Sequence, residues 1–300
     1  MIFIVAVMNI PPDPEKLKKE LAASQASFAQ GSKALEVKHY EEALTAFQQV
    51  AKADTKNYQE AQSKIAELSR QVAQIKLEKA IQLYEAEKYK EAQGLLEQVV
   101  ELDPSIARAH LYLGLVNLDP LESNTSSYGQ VNQAIESSPI LTYGDLVRRE
   151  ESIEKNESLH KQAREYIDSM QDAIDSSAKS VTKAIELDPT YKEALGASDV
   201  LRMLEQLLEK MDQYHKKCIE IADKHQDILA LEKKWKKTWD SGDFKKLDEI
   251  DPEIRQEIQE IQEELEKTKA EAASLSEEIS SIQKQGQAKM KQMKIIFPNL

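Results

Sequence analysis

Three residues within one short stretch of the chain are of the types that bind zinc. His215, Cys218 and His225 lie three and seven residues apart, which places them on one stripe of a helix. Zinc can use histidine and cysteine together, but a fourth ligand is missing and His225 lies two turns from Cys218. The simpler interpretation is a buried helical seam in which Cys218 is a small apolar group. We therefore predict no metal and no cofactor.

The sequence contains no motif that supports catalysis. It lacks a glycine-rich phosphate loop and the patterns GxSxG, HExxH and CxxC. Its many carboxylates are spaced like those of solvated helix faces, so no pair of catalytic acids stands out. We expect that the chain is not an enzyme and has no catalytic residues.

Trp235 and Trp239 lie one helical turn apart and leave two interpretations open. Tryptophan is enriched at binding hot spots, which favours a recognition patch. Such a pair more often closes the open end of a helical hairpin.

The composition indicates a protein of long helices. Of the 300 residues, 41% are hydrophobic and 31% are charged, with only 8 glycines and 9 prolines. The net charge of -13 argues against a general nucleic-acid surface, and no run approaches the ~20 apolar residues of a membrane span. The single cysteine, Cys218, excludes an internal disulfide and fits a reducing compartment. We expect a cytoplasmic chain with no nucleic-acid partner and no membrane span.

Two stretches 49 residues apart echo each other, YEEALTAFQQVAKAD (40–54) and YKEAQGLLEQVVELDP (89–104). Each opens on a tyrosine and has an alanine three residues later, Ala43 in the first and Ala92 in the second. Their apolar spacings are those of packed helix faces, and the small residues let two helices approach closely. Asp103-Pro104 is predicted to end one helix and start the next.

This pattern resembles the tetratricopeptide repeat family. The best match covers residues 73–106, and a second match covers 24–57. A third unit opens at 107–118 with Leu113-Gly114, and a fragment at 180–195 carries Asp188-Pro189. The matching residues of the first two units are Gly31, Ala34, Tyr40, Ala43 and Phe47, then Ala80, Tyr89, Ala92, Leu96, Val99 and Pro104. Because these units are spaced more widely than the family's repeat of about 34 residues, residues 57–86 are predicted to form one overlong helix.

The resemblance implies a curved wall, built from the first helix of each unit, that binds a peptide or helix of a partner protein. Only Arg108 suits the carboxylate clamp of some family members, so we expect apolar anchoring of an amphipathic helix instead. That helix could also come from this chain, from MIFIVAV or the long-helix half, or the same residues could pack as core. The wall carries Phe28, Leu35, Leu77, Ile81, Tyr84, Arg108, Leu111, Tyr112 and Leu115.

The second half of the sequence indicates long helices. Residues 145–187 contain no Pro or Gly and place a seam residue every seven positions, at Ile153, His160, Ile167, Ile174 and Val181. A second unbroken stretch runs to Trp239. A third helix, capped by Asp251, has apolar residues at steps of four and three from Ile254 to Ile282. Lysines before the connection and glutamates after it favour an antiparallel hairpin over a parallel homodimer through Ile254–Ile282.

The predicted fold is all-α, a short solenoid of tetratricopeptide-like hairpins followed by long helices in an antiparallel coiled-coil hairpin. We predict a non-enzymatic adaptor or scaffold for a protein or peptide partner, with the hairpin as a spacer or second interface. The alternative is a structural protein whose long helices drive homo-oligomerisation, for example a homodimer. The predicted segments are a flexible or docked N-terminus (1–14), repeats (15–118), an irregular loop (119–144), long helices with a repeat-like turn at 180–195 (145–239), a connection (240–251), a coiled-coil helix (252–294) and a tail (295–300).

Overall fold

A computed structural model describes residues 14–296, and within that range the chain is all-α, as predicted. The predicted N-terminal segment (1–14) and the predicted tail (295–300) lie outside the described residues except for Pro14, Ile295 and Ile296, which are helical. Contacts divide the chain into a first unit ending at Ala109 and a second unit beginning at His110. The helices of the described range are α1 (Pro14–Glu36), α2 (Tyr40–Gln48), α3 (Tyr58–Glu85), α4 (Tyr89–Leu102), α5 (Ala107–Val116), α6 (Asp119–Glu136), α7 (Leu146–Leu187), α8 (Lys192–Asp240) and α9 (Phe244–Ile296).

The first unit is built from two helical hairpins that share one turn geometry. Lys38 and Glu87 both adopt a left-handed backbone, with φ of 60° and 59°. In each turn the next amide donates to a carbonyl five residues earlier, that of Ala34 or Leu83, at 2.9 Å. This is the hydrogen-bond pattern that commonly ends a helix. The sequence echo is therefore also an echo in local structure.

Small residues sit where the paired helices of the first unit meet, as the sequence predicts. Ala43, Ala80 and Ala92 are fully buried. A Cβ atom on Gly31 would lie 3.0 Å from the ring of Phe47, so the glycine allows α1 to lie close to α2. The overlong helix predicted at 57–86 is present as α3. This helix packs on α2 and is also the first helix of the second hairpin.

In the second unit, α7 begins at its predicted place because Asp145 caps it. The Asp145 carboxylate accepts from the backbone amides of Val147 and Arg148 at 2.9 and 3.3 Å. One face of α7 packs on α8. The predicted seam is confirmed, since its members are all buried: Ile153, His160, Ile167, Ile174 and Val181.

Residues 119–136 form α6, where the sequence predicts part of an irregular loop over 119–144. Pro120 lies in the first turn, where a missing amide costs little. The hydroxyl groups of Ser123 and Thr125 donate back to helix carbonyls at 3.1 and 2.6 Å, so polar residues typical of a loop are accommodated. Val131 is buried and α6 packs on α7, which gives the helix a core face.

The long helices α8 and α9 lie antiparallel within one chain. Lys210, Lys217 and Lys224 of α8 pair with Glu278, Glu271 and Glu264 of α9 at 2.9, 3.0 and 2.6 Å. The pairs advance by about seven residues in opposite directions on the two helices, as expected for a heptad register. The ion pairs nearest the turn differ from those predicted, since Lys233 binds Glu150 of α7 at 2.6 Å. Coiled-coil geometry in the strict sense stays a prediction.

The connection between α8 and α9 is shorter than the predicted 240–251. The structure has three residues between the helices, with Gly242 at a φ of 70°, and α9 begins at Phe244. Asp251 does not cap a helix start, because its carboxylate accepts from Trp235 Nε1 and Arg255 Nε, each at 2.7 Å. Pro252 consequently lies inside α9, after two turns that Leu247 anchors by its burial.

Candidate protein-interaction site

In the first unit the predicted wall divides into core residues and half-exposed residues. Leu77 and Ile81 of α3 are only 1% and 4% exposed, so they pack as core. Phe28 and Leu35 of α1 are half-buried at the edge of the cluster around α2. The ring of Phe28 meets that of Phe47 edge-on at 5.5 Å, which fixes its orientation. The side chains available to a ligand therefore come mainly from α1.

Tyr84 and Arg108 are the remaining predicted wall residues of the first unit. Tyr84 is half-buried with its ring 5.5 Å from that of Tyr89. Arg108 binds the Glu78 carboxylate at 3.3 Å, and the Gln74 amide donates to the same oxygen at 3.2 Å. A ligand carboxylate would have to compete with Glu78 for Arg108.

In the second unit, the wall residues of the third repeat face the chain's own helix α7. Leu111 is 2% exposed in the core cluster that includes Ile174 and Val181, and Leu115 packs against the same cluster. Tyr112 is half-buried. This part of the predicted wall is covered from within the chain.

The contact between α5 and the end of α7 is made through small residues, as in the hairpins of the first unit. A Cβ atom on Gly114 would lie 2.8 Å from Val181 Cγ2 and 3.1 Å from the carbonyl oxygen of Ser177. Ser177 is fully buried and stands twelve residues before Pro189, as Ala92 stands twelve residues before Pro104. The end of α7 thus takes the place of the second helix of the third repeat.

The turns after α4 and α7 support this equivalence. The Asp103 carboxylate accepts from the amide and hydroxyl of Ser105 at 3.0 and 2.6 Å. The Asp188 carboxylate accepts from the amide and hydroxyl of Thr190 at 2.9 and 2.7 Å. The third repeat is therefore interrupted, with α6 and most of α7 inserted between its two helices. Sequence reasoning found the fragment at 180–195 but missed that it completes the repeat.

A buried hydrogen-bonded chain of three side chains links α6, α7 and α8. The Nδ1 atoms of His160 and His215 are 2.8 Å apart, and His215 Nε2 lies 2.8 Å from the Tyr128 hydroxyl. Two proton arrangements satisfy both bonds. Either Tyr128 donates to His215 and His215 donates to His160, or His160 donates to His215 and His215 donates to Tyr128. His215 is fully buried and His160 is 3% exposed, so both bonds are shielded from water.

Burial keeps these groups neutral near pH 7. It lowers the pKa of His160 to about 4 and that of His215 to about 3, and raises the pKa of Tyr128 to about 12. Burial also raises the pKa of the Cys218 thiol to about 11, which disfavours a thiolate nucleophile. Within residues 14–296, no group of three or more His, Cys, Asp or Glu side chains is arranged to hold a metal ion.

The paired helices, their recurring turns and the small residues between them define a helical repeat protein. Residues 77–119, from the end of α3 through α5, match the family model described as Tetratricopeptide repeat. This segment of the chain is similar to that repeat. No curated protein and no solved structure matches the chain.

The repeat supports a general role in protein–protein interaction, because stacked helix pairs form curved surfaces that bind other proteins. In the part of the chain that the structure describes, every helix is too short or too polar to cross a membrane.

Proposed function

We propose that the chain is a non-enzymatic, cytoplasmic adaptor whose repeat wall binds a peptide or amphipathic helix of a partner protein. The observation that carries this proposal is the pair of half-exposed apolar side chains on α1, Phe28 and Leu35, at the positions of the wall. Tyr84 of α3 adds a third half-exposed anchor. Large apolar anchors at helical spacing suit the apolar face of a helix.

The packing of the third repeat confines the proposed site to the first unit. Its wall residues Leu111 and Leu115 pack on the core cluster that includes the seam of α7. These positions are filled within the chain, so we propose that the partner helix binds at the half-exposed positions of α1 and α3.

The test uses the full chain and a displayed library of helical peptides, from which binders are selected and measured by fluorescence anisotropy. Tyr84→Ala and Phe28→Ala are each expected to raise the Kd of the selected peptide about tenfold, the usual loss for an aromatic anchor. Leu111→Glu is not a suitable probe, because Leu111 is 2% exposed and the variant would disturb the core.

Ile75→Ala is the matched control, since Ile75 is 54% exposed and lies half a turn around α3 from Tyr84. It should leave the Kd within twofold, and circular dichroism should show that all variants remain folded at the temperature of the binding assay. Failure to select any peptide, or equal effects of Ile75→Ala and Tyr84→Ala, would refute the wall as the binding site.

We further propose that α9 serves this adaptor as part of a hairpin spacer rather than as a dimerisation helix. The seam residues Ile254, Leu265 and Ala272 are buried within the single chain. Light scattering on the full chain is expected to give the monomer mass of 34.0 kDa. A dimer that dissociates when Leu265 is changed to Glu would instead favour homo-oligomerisation.

A further inference from the structure

The end of the α8–α9 hairpin carries three aromatic rings in mutual contact. Trp235 and Trp239 stack with ring centroids 5.4 Å apart and an interplanar angle of 16°. Phe244 meets Trp239 edge-on at 5.8 Å. Trp235 is held by its bond to Asp251, whereas Trp239 and Phe244 are 50% and 58% exposed. Trp235 thus closes the hairpin core, and two large rings remain in contact with solvent beyond it.

The same segment is positively charged, whereas the protein as a whole is negatively charged. Residues 233–246 contain six lysines and two aspartates, a net charge of +4 within a chain of net charge -13. Lys233 is engaged by Glu150 at 2.6 Å, and Asp243 accepts from the backbone amide of Lys246 at 3.1 Å, which caps α9. The acidic Asp248 and Glu249 follow one turn further along α9. The other lysines are all exposed: Lys234, Lys236, Lys237, Lys245 and Lys246.

The position of the segment leaves it accessible within the second unit. Glu150 and Arg149, at the start of α7, pair with Lys233 and Glu232 of α8. These pairs place the start of α7 level with the end of the hairpin, where Trp239, Phe244 and five lysines are nevertheless exposed. We call Trp239, Phe244 and the five exposed lysines the hairpin tip.

We propose that the hairpin tip docks onto the headgroup region of an anionic lipid bilayer. Tryptophan and phenylalanine are favoured at the boundary between headgroups and acyl chains. Lysines are attracted to the negative surface potential of anionic lipids. A bilayer docked there would cover both exposed rings and the positive charge around them.

The choice of side chains favours a lipid surface over an acidic protein. All the basic residues of the tip are lysines, which act as hydrated point charges on flexible stems. Arginine, with its planar and bidentate geometry, is the usual residue for a fixed carboxylate partner. A sheet of mobile lipid phosphates does not require that geometry. This proposal is independent of the repeat wall, since either surface can act without the other.

The test is co-sedimentation of the full chain with vesicles of phosphatidylcholine, with or without phosphatidylserine. We expect binding only when phosphatidylserine is present, and loss of binding in high salt. Both tryptophans of the chain lie at this end of the hairpin, so their fluorescence should shift to the blue on binding and be quenched by brominated lipid.

Two double variants separate the contributions of the rings and the charges. Trp239→Ser with Phe244→Ser, and Lys236→Glu with Lys237→Glu, are each expected to weaken vesicle binding at least tenfold. These residues are exposed, so the fold should survive, as a circular dichroism melt would show. The controls are Leu195→Ser, an apolar residue that is 42% exposed near the opposite end of α8, and Lys179→Glu with Lys183→Glu. The controls should bind like the wild type.

The proposal is overturned if the chain does not sediment with anionic vesicles, or if the tip variants bind as tightly as the controls. It is also overturned if the tip binds a polyglutamate peptide but no vesicle, which would assign the surface to an acidic protein. None of these results bears on peptide binding at Phe28, Leu35 and Tyr84.

Discussion

Lowering the pH from 8 to 5 is expected to reduce the free energy of unfolding of the second unit by about 4 kcal/mol. The cause is the buried pair His160 and His215, whose Nδ1 atoms are 2.8 Å apart. Protonating either ring would place a second proton between these atoms or leave a charge without water. Burial holds the pKa of the two rings at about 4 and about 3, against 6.5 for an ordinary histidine.

The sign of this pH effect follows from the number of protons that the folded and unfolded chains bind. Between pH 6.5 and pH 4 the unfolded chain binds protons at both histidines and the folded chain does not, so acid favours unfolding. Stability that is present above pH 6.5 is therefore lost as the pH falls, by about 2 kcal/mol for each histidine at pH 5. Burial also lowers the pKa of His225, which adds an effect of the same sign.

The measurement is urea unfolding followed by circular dichroism at pH 8 and pH 5. His215→Gln, which keeps a donor and an acceptor without a titrating ring, is expected to remove about half of the pH dependence. His39→Gln is the control, since His39 lies on the exposed surface of the first unit. Equal unfolding free energies at the two pH values would show that the histidine pair does not remain neutral in the folded state.

The sequence identifies His160 and His215 as seam residues but does not show that they meet. A heptad pattern predicts which face of a helix is buried. It does not predict the register between two helices, because a shift of seven residues would bury the same faces. The histidine and cysteine stripe on α8 therefore suggested a site on one helix. The actual partners, Tyr128 and His160, come from α6 and α7.

An Asp-Pro pair is a local signal for a helix boundary, and it predicts that boundary correctly at some positions of this chain and not at others. At Asp103 and Asp188 the pair does separate two helices, because a serine or threonine two residues later binds the aspartate. Asp251-Pro252 lacks that residue, and Trp235 and Arg255 occupy the carboxylate instead. The helix continues through Pro252, with the Asp251 carboxylate bound both by α8 and by the next turn of α9.

The interrupted third repeat gives the other large prediction, that Gly114→Val destabilises the second unit by about 3 kcal/mol. A Cβ atom at this position would lie 2.8 Å from Val181 Cγ2 and 3.1 Å from the Ser177 backbone. The Val181 side chain is 1% exposed, so it could move away from the new Cβ atom only by displacing other core residues. The steric cost therefore exceeds the gain of less than about 1 kcal/mol expected when a helical glycine is replaced.

Gly94→Val is the matched control, because Gly94 is also helical but a Cβ atom there meets nothing within 4 Å. It should change the unfolding free energy by no more than about 0.5 kcal/mol. Adding Val181→Ala to Gly114→Val should give a favourable coupling energy of at least about 1 kcal/mol, since space is restored at the point of contact. If Gly114→Val is as mild as Gly94→Val, or if the two changes are simply additive, α5 does not pack on the end of α7. The third repeat would then consist of α5 alone. The helices after α5 would form a separate bundle, and none of them would be the second helix of that repeat.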